Sequence, residues 1–268
     1  MKNSDLHTHS YYSDGQISPR ELVRLAKKRG VKNLVLTDHN SVKGVKEAME
    51  EGKKIGVNII PGIEVRCKIG EVLGYYVNPN DKKLLKEINQ INKKVQKKVR
   101  EVCKNLEKTG YKIRYSELER KYFKARGNLN EFHLIYTLYL KKYTKTTFEA
   151  AKLIGSKKIK PKKIKDIGGV QAIKLIKNAG GVPVLAHPWI DPKALKEKNF
   201  KKYLKAGLRG IEINNGDDIK FMKEKSKIKN ITQKIKKLAK KYNLIITSGS
   251  DFHGLKLVKL MPGNHDLG

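Results

Sequence analysis

An α/β fold interrupted by a block of helices is predicted for this 268-residue chain, on three observations. Apolar runs of strand length alternate with amphipathic stretches of helix length over residues 5–77 and again over 170–247. Polar and titratable residues gather just past the ends of those runs, the edge where parallel α/β folds place their chemistry. Between the two alternating parts, residues 81–165 show helical periodicity alone.

The first strand is predicted to end in Asp5-Leu6-His7-Thr8-His9-Ser10, and Ser13-Asp14-Gly15 then turns the chain. Ser18-Pro19-Arg20-Glu21 opens a helix, with Ser18 at the N-cap, Pro19 at the first helical position and Glu21 closing a capping box; Gly30 stops it. Residues 32–37 read as a buried parallel strand ending at Asp38-His39-Asn40. A helix over 42–54 follows, then a strand over 57–60 that leads through Pro61-Gly62 to Ile63-Glu64-Val65, and a further strand over 71–77.

The helical block begins with one long Lys-rich helix over 81–109. Its Leu84, Leu85, Ile88, Ile91, Val95, Val99, Val102 and Leu106 recur at three- and four-residue spacing. Packing against the other inserted helices, predicted over 116–122, 131–141 and 147–153, is favoured over a coiled coil. The α/β pattern resumes with a helix over 170–179, a strand over 182–186 ending in His187-Pro188, and a helix over 192–206. A strand over 210–213, a helix over 219–242 and a strand over 244–247 complete it. The expected division is residues 1–80 with 166–268 as the main domain and 81–165 as the inserted cap, the Lys-rich stretch 157–165 forming the seam.

Composition narrows the function classes. No apolar run approaches the ~18 residues of a membrane span, and Met1-Lys2-Asn3-Ser4 runs straight into the first motif without an apolar targeting segment, so a soluble, cytoplasmic protein without membrane contact is expected. Cys67 and Cys103 lack Cys-x-x-Cys spacing, which indicates neither a disulfide framework nor a zinc ribbon. The formal net charge of +34 favours polyanionic partners. Only nine of the 60 basic residues are arginine, however, and the lysines are spread along nearly every helix; no DNA-reading motif accompanies them.

His7 and His9 lie two apart, so on a strand both imidazoles point to one side and can reach one cation. With them stand Asp14, His39, Glu64, His133, His187, Asp251 and His253, nine candidate ligands of which eight fall at or just past predicted strand ends. Imidazole mixed with carboxylate suits zinc, manganese or iron, and nine ligands with one bridging carboxylate suffice for two or three divalent ions. Asp38 is expected to support the fold or its neighbouring ligands, and His265 to be a tail residue.

Asp-Leu-His-Thr-His-Ser with Ser-Asp-Gly, then Leu-Thr-Asp-His-Asn, Pro-Gly-Ile-Glu, Ala-His-Pro and Gly-Ser-Asp-Phe-His-Gly occur in that order over residues 5–254. In this the chain resembles the PHP (polymerase and histidinol phosphatase) family. It is most similar to the stand-alone group that hydrolyses nucleoside 3′,5′-bisphosphates and short RNA from the 5′ end. The resemblance implies a distorted (β/α)7 barrel with an inserted helical cap and a trinuclear site. His7, His9, Glu64 and Asp251 would hold one ion, Glu64 bridging to a second held by His133 and His187, with Asp14, His39 and His253 on the third. Glu64, Asp251 and His253 are the expected catalytic residues. Arg126 is the candidate contact to a second phosphate or nucleotide backbone. The chain departs from that group at Asn130-Glu131-Phe132-His133, where Arg-Pro-His is usual. A histidinol-phosphate-type phosphatase and a non-catalytic nucleic-acid-binding protein are the competing readings.

Overall fold

The structure is a computed structural model that describes residues 3–68, 70–125, 128–162, 166–190, 192–213 and 225–254, the side chains of 225–229 excepted. Arg126, His265, residues 163–165 of the predicted seam and the predicted helix start at 219 lie outside the described residues. Seven strands form one curled sheet in sequence order: β1 (Ser4–Thr8), β2 (Asn33–Leu36), β3 (Asn58–Cys67), β4 (Gly70–Tyr75), β5 (Val182–Leu185), β6 (Gly210–Glu212) and β7 (Ile245–Thr247). The pairs β1–β2, β2–β3, β5–β6 and β6–β7 are parallel, and β4 runs antiparallel to both of its neighbours.

The sheet therefore differs from a strict (β/α)7 repeat. Instead of stopping at Pro61-Gly62, β3 is continuous, and it folds directly back as a hairpin with Arg66 opposite Glu71. Within it Gly62 is required by the close approach of β2, since a Cβ there would sit 2.4 Å from Val35 Cγ1. β1 also meets the loop that follows β7. There Thr8 bridges Phe252, His9 N donates to the Phe252 carbonyl at 2.9 Å and Asp251 N to the His7 carbonyl at 2.9 Å.

Helices cover the outer face. The predicted capping box of α1 (Pro19–Lys28) is present, Ser18 Oγ accepting from Glu21 N at 3.1 Å, a contact worth about 1 kcal/mol. Together with α2 (Val45–Ile55), α1 packs on Leu34 and Leu36 of β2, while the intervening Val35 points into the sheet's concave side with Leu73, Tyr75 and Val184. That alternation is the two-residue period of a strand.

Between β4 and Gly169 lie α3 (Lys82–Lys108), α4 (Tyr115–Lys121), α5 (Glu131–Leu140) and α6 (Thr147–Ile154). The long α3 serves two cores. Its first half, with Leu84, Ile88, Ile91 and Val95, packs into the main cluster with α7 (Gly169–Asn178), α8 (Glu197–Ala206) and α9 (Lys225–Tyr242). Its second half, with Val99, Val102 and Leu106, joins Leu118, Leu134 and Ala150 of α4, α5 and α6 in a separate cluster. Among the described residues no helix is long and apolar enough to cross a membrane.

Candidate metal centre

Loops after the parallel strands converge at one end of the sheet. β1 delivers His7, and the loop after it His9 and Asp14; His39 follows β2, His187 follows β5, and Asp251 and His253 follow β7, while Glu64 stands on β3 itself. His187 (φ 22°) and Asp251 (φ 52°) occupy the left-handed region. Such conformations cost about 1–3 kcal/mol and persist only where the surroundings over-determine them. Here His187 N donates to Glu212 Oε2 at 2.8 Å and Asp251 N to the His7 carbonyl.

Glu64, fully buried, is the hub. Its Oε2 lies 3.3 Å from His7 Nε2, 3.4 Å from His9 Nε2 and 2.9 Å from His39 Nδ1, and its Oε1 3.0 Å from His187 Nε2. Asp251 Oδ1 closes one side at 3.3 Å from His7 Nε2 and 3.1 Å from His9 Nε2. On the other side Asp14 approaches His39 Nε2 and His253 Nε2, both at 3.4 Å. Four groups of convergent ligand atoms result: His7, His9 and Asp251; His7, Glu64 and His187; His39, Glu64 and Glu71; and His9, Asp14, His39 and His253.

Eight of the nine residues singled out from the sequence thus meet. His133 stands apart: it lies at the first turn of α5, where its Nδ1 accepts from Asn130 N at 3.1 Å, its ring meets Tyr122 at 4.7 Å and it bonds the Ser13 backbone. Burial, only partly opposed by Asp14, holds it neutral with a pKa of about 4. It belongs to none of the ligand groups found among the described residues. Beside His187, where the resemblance put His133, stands Glu71, 3.3 Å from His187 Nε2 and 3.2 Å from His39 Nδ1.

Sequence reasoning missed three residues. Glu71 was assigned only to a strand start; a hairpin reading of the Gly70 turn would have set it beside Glu64. Glu212 is an acid inside the apolar run Gly-Ile-Glu-Ile, and that oddity was its signal. Its Oε1 takes His7 Nδ1 at 3.1 Å, so the Nε2 lone pair of His7 faces the cluster. Arg66, two residues past Glu64, donates from Nε to Glu71 at 3.1 Å and from Nη1 to Glu131 at 2.8 Å.

Further acids set the loops. Asp38 accepts from Ser10 N, Ser10 Oγ and Ser13 Oγ at 2.8, 2.7 and 2.6 Å, fixing the turn that carries Asp14. Asp5 accepts from Ser250 N and Oγ at 2.9 and 2.6 Å. Burial outweighs those hydrogen bonds and pushes both carboxyls up to about 6. Just before α5, Asn130 Nδ2 donates to Asp14 Oδ2 at 2.7 Å and Asn128 Nδ2 to the His39 carbonyl at 2.6 Å.

The electrostatics are those of a cluster built around positive charge. Burial acts against ionising Asp14 and Glu64, yet the imidazoles around them hold both well below the usual carboxylate range. Burial likewise opposes charging His187 and His253, but Glu64 and Glu71 push the first up to about 9, and Asp251 and Asp14 the second up to about 10. His9 is driven down to about 3 by burial and by its neighbour His253.

Six buried atoms of this cluster have no hydrogen-bond partner: His7 Nε2, both ring nitrogens of His9, Asp14 Oδ1, His39 Nδ1 and Glu64 Oε2. An unpaired buried polar atom costs about 1–3 kcal/mol, and a bound cation would satisfy the lone pairs among these six. Beside them opens a cavity of about 190 Å³ lined by Arg66, Glu71, Phe132, His187, Asp251 and His253.

The convergent imidazoles and carboxylates could hold metal ions, and comparison with known proteins places the chain among the metal-dependent phosphoesterases. The sequence matches the PHP domain over residues 5–248, and the chain belongs to the PHP family. It is 28% identical over 259 residues to a 5′-3′ exoribonuclease of Haemophilus influenzae, covering 94% of this chain and 90% of that one. To a phosphoribosyl 1,2-cyclic phosphate 1,2-diphosphodiesterase of Eggerthella lenta it is 27% identical, covering 93% and 94%. A 3′,5′-nucleoside bisphosphate phosphatase of Chromobacterium violaceum is also 27% identical, covering 94% and 88%. A solved structure from Bifidobacterium adolescentis shares the fold, with a TM-score of 0.81 at 23% identity over 93% of this chain and 87% of the other.

Proposed function

We propose that the chain hydrolyses phosphate esters of nucleotides or of the ends of short RNA at a centre of two or three divalent ions, of manganese, zinc or iron. The observation that carries the reading is the set of six partnerless buried atoms on His7, His9, Asp14, His39 and Glu64. His7, His9, Glu64 and Asp251 would hold one ion; Glu64, Glu71 and His187 a second; and Asp14, His39 and His253 a third. Ions bound there supply Lewis-acid polarisation of the phosphoryl group and a water nucleophile active near neutral pH.

The protein's own residues do the positioning. Glu212 fixes His7 in the tautomer whose Nε2 faces inward. Asp251, whose side chain is 31% exposed, and His253 face the small cavity, where a phosphate would sit. Arg66 lines the same cavity with its Nε and Nη1 held by Glu71 and Glu131, and its charge would offset that of a phosphate there, the role assigned from sequence to Arg126. Residues 81–165 would act as the cap, bringing Phe132 to the cavity, Asn130 to Asp14 and Glu131 to Arg66.

The exoribonuclease and the bisphosphate phosphatase among the relatives support a base-bearing substrate. The Eggerthella relative supports a second reading, a phosphoribosyl ester without a base. Elemental analysis of the metal-replete protein is expected to return two or three transition-metal ions per chain. A panel of nucleoside 3′,5′-bisphosphates, short 5′-phosphorylated RNA, short DNA, a phosphoribosyl cyclic ester and histidinol phosphate then ranks the substrates. Preference for either of the last two would reject the nucleotide reading.

A further inference from the structure

Phe132 borders two cavities. Its ring lies 5.7 Å from the His253 ring, and it lines both the small cavity at the cluster and a second, larger cavity of about 550 Å³. Asp14 also lines both. The larger cavity is within the size range of small-ligand sites, and Tyr11, Tyr122, Phe123, Phe132 and Tyr136 are among the residues that line it. Phe132 and Tyr136 stand nearly parallel, 7° apart at 6.2 Å. Gln16 Nε2 holds the Tyr136 hydroxyl at 3.3 Å.

At the rim Phe123 is 62% exposed, an aromatic ring that fold stability leaves in water. Lys124 Nζ lies 5.0 Å from the Phe123 ring and 5.5 Å from that of Tyr11. Rings with a polar edge and a cationic border are what a flat, polarisable, anion-bearing ligand requires. A base-less sugar phosphate has no surface that would use them.

Resting on the phosphoesterase reading above, we propose that this cavity is a nucleobase subsite. The base stacks on the wall formed by Phe123, Phe132 and Tyr136 while the scissile phosphate lies in the small cavity, at Asp14 and His253. The chain then discriminates by stacking, favouring base-bearing phosphates over base-less ones with little regard to which base is present.

The test measures binding as well as turnover in the metal-loaded full-length protein. A 2-aminopurine nucleoside 5′-monophosphate, whose fluorescence is quenched on stacking, is titrated into wild type, Phe123→Ala, Tyr136→Ala and Tyr136→Phe, with Phe148→Ala as a control on the exposed face of α6. Quenching is expected with wild type, Phe148→Ala and Tyr136→Phe. The two ring-removing variants should bind about tenfold more weakly, the loss of one stacked base–ring contact, and should raise KM for a nucleoside 3′,5′-bisphosphate more than for 4-nitrophenyl phosphate. Phe123 is exposed, so its removal spares the core, and a thermal melt verifies folding of each variant. Wild-type quenching and affinity in both alanine variants would overturn the subsite while leaving nucleotide hydrolysis standing. A wild type that cleaves 4-nitrophenyl phosphate but neither cleaves nor quenches the nucleotides would defeat the nucleotide reading and the subsite with it.

Discussion

At the scale of single residues the site rests on Glu64, whose two oxygens face four imidazoles. Glu64→Gln replaces an anionic bridge by a neutral amide, and both metal content and hydrolysis are expected to fall by orders of magnitude; unchanged metal content by elemental analysis would remove Glu64 as the bridge. Glu212→Gln leaves an acceptor for the His187 amide but loosens the orientation of His7. Metal affinity, read by chelator competition, should drop about 10- to 100-fold with the fold intact. The raised histidines give a pH effect. His187 and His253, at about 9 and about 10 without metal, are protonated at pH 7.5, and a cation must displace those protons. Metal loading at pH 7.5 should therefore release protons, measurable by titration calorimetry in buffers of different ionisation enthalpy, and binding should tighten as pH rises. In the metal-free protein the sign is opposite. Stability from these two groups is complete below their unfolded value of about 6.5 and is lost as pH rises through 9 and 10, so its melting temperature should fall over that interval. The eight residues that converge were legible from sequence because they end or follow apolar runs. Glu71 and Glu212 were not, because their roles depend on a hairpin register and on a strand neighbour that no local pattern reveals.

At the scale of elements, the helices are legible from apolar periodicity and, for α1, from the Ser18 cap; the structure adds side-chain caps by Asp81 on α3 and Thr146 on α6. The sheet was read less well. Strand existence follows from apolar runs, but the direction of β4 follows from the tight Cys67–Gly70 pairing, which sequence spacing leaves open. His133 shows the same limit: its place as the third residue of α5 turns the ring toward the helix start. The β7 loop is tied to β1 so closely that Gly249 is obligatory. A Cβ there would sit 2.4 Å from both His7 Cβ and His7 N, and Gly15 has a like contact at 2.4 Å with the His9 carbonyl. Gly249→Ala must push β1 and the β7 loop apart where they carry His7, His9 and Asp251. It is expected to cost about 1–3 kcal/mol of stability in a denaturant melt and, unlike a surface substitution, to lower metal affinity as well. Wild-type metal affinity in a destabilised Gly249→Ala would mean that the loop relaxes without moving its ligands.

At the scale of the whole molecule, the excess of positive charge surrounds a centre that is itself rich in carboxylates, so the basic surface and the chemistry are separable. The cluster's acids are neutralised locally by imidazoles, whereas the lysines lie on the polar faces of α1, α3, α8 and α9, where single side chains are solvated and screened. Their collective field still bears on a polyanion. For single-stranded RNA that neutralises Z lysines, log K falls with log salt with a slope of roughly −0.7Z. Three phosphate contacts therefore predict a loss of about an order of magnitude between 50 mM and 200 mM salt. A mononucleotide held by the metal centre and stacked rings engages fewer lysines and should respond more weakly. KM measured across that salt range is expected to climb steeply for 5′-phosphorylated RNA of several nucleotides, less for a nucleoside bisphosphate and least for 4-nitrophenyl phosphate. Equal, shallow slopes for all three would show that the charge takes no part in recognition, and that selectivity lies wholly in the residues around the cluster.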